Sequence, residues 1–73
     1  MKLNQIPLIY NIDKVYIYDN GDRVAEQWIG GHGLRWYFQE VETLKPYADR
    51  KVDSMAINVE GDIIQTVVLE IYL

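Results

Sequence analysis

One stretch of this chain, residues 34–48, repeats its apolar side chains at helical spacing, and this constrains the fold more than any other feature of the sequence. The apolar positions recur every three or four residues and form one continuous stripe, as a core-facing helix requires. The stripe consists of Leu34, Tyr37, Phe38, Val41, Leu44 and Ala48. The alternation expected of a strand would mix apolar and polar residues on both faces. The pattern therefore predicts a single helix that begins after the glycine-rich segment.

The far end of this helix depends on a proline. Pro46 has no N–H to donate to Glu42, and it disfavours helical geometry at Lys45. We therefore expect the regular helix to end near Leu44. The alternative is a strand followed by a short helix, in which Thr43 is the N-cap and the proline lies in the first turn, where a missing donor costs little.

Outside this stretch the composition favours strands. Nine Ile, seven Val and six Tyr stand against three Ala, and β-branched and aromatic residues are enriched in sheets. Asn20-Gly21 is the strongest hairpin signal, because a type I′ turn needs positive φ at both central residues. It predicts strands at residues 15–18 and 23–29 whose adjacent ends face each other.

Further strands are expected near both ends of the chain. Leu8–Ile12 is at best an edge strand, because Pro7 cannot donate to a ladder. Residues 52–60 and 63–73 predict a second hairpin, with its turn at Gly61. The sequence therefore predicts an α+β fold in ββ(β)-α-ββ order, a small antiparallel sheet of four to five strands with one helix packed on one face.

The last predicted strand is apolar at nearly every position, which is typical of a strand that is covered on both faces or central in its sheet. One helix covers only one side of a small sheet, and a single domain spanning residues 1–73 buries only about 60% of its unfolded surface. A second copy of the chain is the simplest cover for the other side, and the N-terminal segment folding across it is the alternative. We therefore expect self-association, with an interface at Val67, Leu69, Ile71 and Leu73.

The composition argues against several classes of function. The chain has no cysteine and one histidine, which removes disulfides and the usual zinc ligand sets. Its net charge is −4 and its basic residues are scattered, whereas a phosphate-tracking surface needs clustered Lys and Arg. We therefore expect no metal, no cofactor and no direct nucleic-acid binding. The first residues lack the long apolar run of a signal peptide or membrane span, so we expect a cytoplasmic protein that engages no membrane.

The segment before the helix is the first candidate binding site. Gly31 and Gly33 let backbone N–H groups approach a ligand, the helix N-terminus favours an anion, and Arg35 supplies a matching charge. In this hypothesis a phosphate-bearing ligand binds the loop, His32 donates to it and Trp36 or a tyrosine stacks on a base. The run matches neither the dinucleotide-binding glycine pattern nor a P-loop. The simpler interpretation is that the glycines only let a strand turn sharply into the helix.

Catalysis has little support, and the aromatic residues have two interpretations. His32 could act as a general acid or base, but Ser54 is the only serine and cysteine is absent, so we name no catalytic residue. The aromatic residues either fill the core or form an exposed surface that anchors a protein interface. We expect Trp28 and Phe38 in the core and leave both options open for Trp36.

These observations favour a small non-enzymatic binding protein that acts as a homo-oligomer and engages or inhibits a protein partner. The interpretation rests on how often short, linkerless, cysteine-free single domains have this role rather than on a motif. The alternative is a small-molecule binder or sequestering protein for a phosphate-bearing ligand or nucleotide, which would use the glycine-rich loop before the helix.

Overall fold

The computed structural model describes residues 1–6 and 11–73. Within them the chain forms one helix, four strands and two short 3-10 turns in β-β-α-β-β order, so the predicted α+β class is confirmed. The strand proposed at Leu8–Ile12 lies mostly outside the described residues, and Asn11 and Ile12 are not in a strand. The elements are β1 Lys14–Asp19, β2 Asp22–Trp28, α1 Leu34–Glu40, β3 Ser54–Glu60 and β4 Thr66–Tyr72, with the 3-10 turns at Leu3–Gln5 and Lys45–Tyr47.

The four strands form one sheet in the order β2-β1-β4-β3. Both hairpins are antiparallel, but the neighbours β1 and β4 are parallel, so the sheet is mixed where the sequence predicted an antiparallel one. The reason is the connection through α1, which returns the chain so that β3 runs in the direction of β2. Since β4 turns back from β3, it then runs with β1. One of the two options for the last strand, a central position in the sheet, is confirmed.

The first hairpin forms as predicted. Asn20 and Gly21 have φ of 55° and 86°, the type I′ combination whose twist matches that of the flanking strands. Tyr18 lies opposite Arg23, as expected for the adjacent strand ends. The register shifts after Ile17, so β2 carries an extra residue that bends this outer strand.

The helix is shorter than predicted, because α1 ends at Glu40 rather than near Leu44. Val41 is already extended, with φ −99° and ψ 124°. Pro46 lies in the second 3-10 turn, which Leu44 rather than Thr43 precedes. Val41 and Thr43 are β-branched and favour helices poorly, and Leu44 is fully buried from the turn, so a longer helix would bury little more. Among the described residues, no helix is long and apolar enough to cross a membrane.

The core lies on the side of the sheet that carries α1. Its buried side chains are Leu3, Ile6, Ile12, Val15, Ile17, Ala25, Leu34, Phe38, Leu44, Leu69 and Ile71. Residues 1–6 belong to this side, where the Leu3 N–H donates to the Arg50 carbonyl at 3.1 Å and the Val52 N–H donates to the Met1 carbonyl at 2.7 Å. These first residues therefore pack beside α1 on the same side of the sheet, and together they form what we call the helix layer. On the sheet side, β3 contributes no buried side chain.

Candidate binding surfaces

The glycine-rich segment folds onto the first turn of α1. The Gly30 N–H donates to the Tyr37 hydroxyl at 2.7 Å. The His32 ring stacks on the Trp36 ring, with centroids 3.8 Å apart and planes 15° apart, and the Tyr37 ring meets Trp36 edge-on at 5.0 Å. The structure thus brings two predicted site residues, His32 and Trp36, into contact. Tyr37 also contacts Trp36, although its position on the apolar stripe predicted that it lies in the core.

The other predicted site residues of this loop lie at the surface. Gly31, Gly33 and Arg35 are exposed. Gly33 has φ −67° and ψ 155°, extended backbone that any residue adopts, and a side chain at Gly31 would meet no atom within 4 Å. One face of the Trp36 ring is taken by His32. The loop therefore offers less to a phosphate or a base than the sequence suggested.

The residues predicted at an interface lie in β4 or directly after it, inside the protomer. Leu69 and Ile71 are buried in the core, and Val67 and Leu73 are partly buried against it. They are covered because β4 is a central strand. A contact between copies of the chain therefore needs another surface.

The sheet face opposite α1, which we call the open face, is lined by aromatic and charged side chains. In each row of the register a β1 residue has one neighbour on β2 and one on β4. The rows are Trp28–Lys14–Val68, Glu26–Tyr16–Glu70 and Arg23–Tyr18–Tyr72. An exposed aromatic surface was one of the two interpretations of the aromatic residues, but none of the predicted site residues lies on this face. The signal that could have found it is the alternation of Val15 and Ile17 with Tyr16 and Tyr18, which separates an aliphatic face from an aromatic one.

Two cations lie over aromatic rings of the open face. The Arg23 guanidinium carbon is 3.6 Å from the Tyr16 ring centroid, and Arg23 Nη2 donates to the Tyr18 hydroxyl at 3.0 Å. The Lys14 ammonium is 4.7 Å from the Trp28 ring centroid. Such contacts are attractive but weak at exposed sites. They help to explain why Tyr16 is buried although, among residues 1–6 and 11–73, no helix covers this face.

A hydrogen bond also holds Tyr16, and an ion pair also holds Lys14. The Tyr16 hydroxyl donates to Glu60 Oε2 at 2.9 Å, which ties β1 to β3 across β4. Lys14 Nζ is 3.1 Å from Glu26 Oε2. The Tyr16 hydroxyl, and after it the Glu26 carboxylate, raise the pKa of Lys14 above its ordinary value, so this ammonium stays charged well above neutral pH.

At the other end of the open face, two tyrosines stack across the parallel strand pair. The Tyr18 and Tyr72 rings are 5.1 Å apart, with planes 16° apart. Partial burial, and after it the Glu70 carboxylate, raises the pKa of the Tyr72 phenol. The phenol is therefore neutral throughout the physiological pH range, and it remains a hydrogen-bond donor for anything that binds there.

Trp28 is exposed on the open face, with 58% of its surface accessible. The prediction that it fills the core is wrong, whereas Phe38, predicted with it, is buried as expected. The reason is position, because Trp28 is the last residue of the edge strand β2 and lies in the row of Lys14, away from α1. Trp36, for which both options stood, is exposed too.

A second exposed surface lies along β3. Met55, Ile57 and Val59, which we call the β3 strip, share a face with Leu69 and Ile71 through the strand register. They are nevertheless exposed, Ile57 to 61%, because the helix layer does not reach β3. The apolar core face of the sheet therefore continues onto an uncovered outer strand.

The fold and these two surfaces define a small α+β domain with one aromatic, charged face and one apolar edge. In the part of the chain that the structure describes, no three His, Asp or Glu side chains form a group that could hold a metal ion. Comparisons with protein-family models, curated proteins and solved structures found no match. The function is therefore argued from the two surfaces.

Proposed function

We infer that this chain is a small, non-enzymatic binding protein that acts as a homo-oligomer and engages a protein partner through the open face. One observation carries the partner-binding part: Trp28 is 58% exposed on a face that also presents Tyr18, Tyr72 and Arg23. Trp, Tyr and Arg are the residues in which binding energy concentrates at protein interfaces. This composition suits a protein partner.

The side chains of the open face are ordered before any partner binds. Lys14 contacts both the Trp28 ring and the Glu26 carboxylate, and Arg23 is bonded to the Tyr18 hydroxyl. Immobilising a flexible side chain at an interface costs about 0.5–1.5 kcal/mol. Since these contacts have already restricted the side chains, less of that cost remains on binding.

The charges of the open face also favour a protein over a nucleic acid. Lys14 and Arg23 lie among the carboxylates of Glu26, Glu60 and Glu70. A phosphate backbone would meet repulsion from these carboxylates. A protein surface with its own mixture of charges can match both signs, which gives specificity and orientation.

The surroundings of His32 support a non-enzymatic role. It is the only histidine, and the chain has one serine and no cysteine, so a nucleophile–base pair has few members to draw on. Its ring is stacked on Trp36. The same stack lowers the support for phosphate or nucleotide binding at the loop, because His32 occupies a ring face on which a base would stack.

The test is affinity capture with the full-length chain and two tryptophan variants. Wild type, Trp28→Ala and Trp36→Ala carry the same tag, and the captured proteins are quantified by mass spectrometry. Truncating an anchor residue costs about 2 kcal/mol, so Trp28→Ala should weaken binding of the specific partner about thirtyfold and reduce its recovery accordingly. Trp36→Ala, the matched control, should keep it.

Unchanged capture by Trp28→Ala would contradict the proposal. Loss with Trp36→Ala alone, together with a nucleotide-sized mass on wild-type protein in native mass spectrometry, would favour the glycine-rich loop as the site. Both rings are exposed, so both variants should fold. Circular dichroism spectra of the three proteins check this before capture is compared.

A further inference from the structure

The two edges of the sheet are protected to different degrees. The β2 edge carries Arg23 and Glu26 and a register shift opposite Ile17, devices that discourage pairing with another strand. The β3 edge has no Lys, Arg or Pro between Ser54 and Glu60, and all its residues are exposed. The β3 edge is therefore the one open to a further strand.

Which β3 residues turn their backbone N–H and C=O groups outward can be derived from a hydrogen bond between β4 and β1. Tyr18 and Tyr72 are partners in the parallel β1–β4 pair, and the Leu73 N–H donates to the Tyr18 carbonyl at 2.8 Å. Odd-numbered residues of β4 therefore turn their N–H and C=O groups towards β1. Because these groups alternate along a strand, the even-numbered residues turn theirs towards β3.

The partners of those even-numbered residues on β3 are also even-numbered. Met55, Ile57 and Val59 therefore turn their N–H and C=O groups outward, away from the sheet. The Val59 N–H agrees with this direction, because it donates to the Asn58 side-chain oxygen at 2.9 Å rather than to β4. Outward backbone groups on an exposed edge strand that has no Lys, Arg or Pro are a template for another strand.

We propose that β3 pairs antiparallel with β3 of a second copy of the chain, centred on Ile57. Ile57 then lies opposite its own copy, and Met55 lies opposite Val59. In this register each outward N–H of the three residues meets an outward C=O of the other copy. The proposal rests on the self-association contained in the proposed function and gives it a surface.

The side chains fit the same register. Directly opposed residues of an antiparallel pair project from the same face, so the two β3 strips form one apolar patch. Ala56 faces Asn58 and Ser54 faces Glu60, so no like charges are opposed within the paired strands. The Asn58 side chain has only to release the Val59 N–H.

Neighbouring registers satisfy fewer groups. A shift by one residue sets outward groups against inward ones, and the ladder cannot form. A shift by two residues in one direction sets Val59 opposite Asp53, which lies outside β3, and in the other direction sets Met55 opposite Gly61. The register centred on Ile57 alone pairs the whole β3 strip.

The dimer joins the open faces of both copies. A two-fold axis between antiparallel edge strands is perpendicular to the sheet, so both α1 helices lie on the same side. The two four-stranded sheets continue as one, and the two Trp28 side chains lie on a single surface. A partner that repeats its epitope could bind both copies at once.

Sedimentation velocity of the full chain at about 100 µM tests the proposal. Wild type should sediment as a dimer. Ile57 is 61% exposed, so Ile57→Lys and Ile57→Glu should each fold. Both variants should remain monomeric, because like charges then meet at the two-fold axis. Ile63→Lys, at a turn position that is 98% exposed, is the matched control and should stay dimeric. An equal mixture of Ile57→Lys and Ile57→Glu should recover the dimer, because Lys and Glu then face each other.

A monomeric wild type overturns the proposal, as does an Ile57→Lys variant that remains dimeric. A mixture of the two charged variants that stays monomeric overturns the register. Capture experiments separate this result from the proposed function. If wild type is monomeric and Trp28→Ala still loses the partner, self-association and the pairing of β3 have both failed, while partner binding by the open face stands. If wild type and Ile57→Lys are both dimeric, only the pairing of β3 has failed. If the dimer forms and Trp28→Ala captures normally, only the open face has failed.

Discussion

Gly61 has a backbone conformation that other residues adopt poorly. Its φ is 98°, in the region where a side chain is strained, and a Cβ there would overlap the Ile64 carbonyl oxygen. We predict that Gly61→Ala lowers the free energy of unfolding by about 1–3 kcal/mol, as measured by urea denaturation. The loss has two causes, the left-handed backbone and the overlap.

Gly31→Ala is the control for that substitution. A side chain at Gly31 meets no atom within 4 Å, and among the described residues the glycines with positive φ are Gly21 and Gly61. We expect a change within about 0.5 kcal/mol, because surface substitutions away from special geometry have small effects. Equal losses in the two variants would show that flexibility, rather than conformation, matters at Gly61.

Single residues differ in how far their place could be predicted. Asn20-Gly21 was predictable because turn chemistry is local and both residues tolerate positive φ. Phe38 was predictable because it lies on a helical stripe. Trp28 was not, since its burial depends on which face of the sheet α1 covers, and only the path of the folded chain decides that.

At the scale of elements, the sequence predicted which segments form strands better than where the helix ends. Val41 and Leu44 continue the helical stripe, so the stripe alone extended the helix past Glu40. In the structure Leu44 reaches the core from a turn instead. The parallel β1–β4 pair was also beyond local patterns, because it follows from the route of the connection through α1.

Two ionisable side chains of the open face, one on β1 and one on β4, make the stability of the folded state depend on pH in the alkaline range. The folded-state pKa values of Lys14 and Tyr72 are both raised. The unfolded chain therefore loses these protons first as the pH rises through about 10, and stability falls over that range. We predict that the urea midpoint of the wild type decreases between about pH 9 and about pH 11.

Tyr72→Phe should show a smaller decrease over the same range, because Phe has no proton to lose in either state. Between about pH 6 and about pH 8 the phenol is protonated in both states, so the difference between the two proteins should be constant there. This interval is the internal control. If Tyr72→Phe loses stability as steeply as the wild type at high pH, the raised pKa of Tyr72 has no part in the response.

At the scale of the whole molecule, one helical stripe and two hairpins were enough to predict the α+β class. They were not enough to predict the strand order, and both candidate surfaces depend on that order. The β3 strip is exposed because β3 is an outer strand. The predicted interface at Leu69 and Ile71 is buried because β4 is central. Apolar character predicts burial but does not say whether the helix layer or a second copy provides it.

The N-terminal residues close the core of the whole molecule, although they lie far in sequence from what they cover. Leu3 is fully buried, its N–H donates to Arg50, and the Val52 N–H donates to Met1. We predict that Leu3→Ala lowers the free energy of unfolding by about 2–4 kcal/mol. For a domain of this size that corresponds to a fall in Tm of about 10 °C or more, measured by differential scanning calorimetry.

Ile63→Ala provides the comparison, because it also truncates a large aliphatic side chain but at a position that is 98% exposed. Its Tm should stay within about 2–4 °C of the wild type, the shift that corresponds to about 0.5 kcal/mol. Below its own Tm, Leu3→Ala should keep the sedimentation behaviour of the wild type, because Leu3 lies in the helix layer and the β3 edge is unchanged. Equal Tm values for Leu3→Ala and Ile63→Ala would mean that the N-terminal residues are not part of the cooperative core. In that case α1 and the sheet would have to account for the stability of the domain without them.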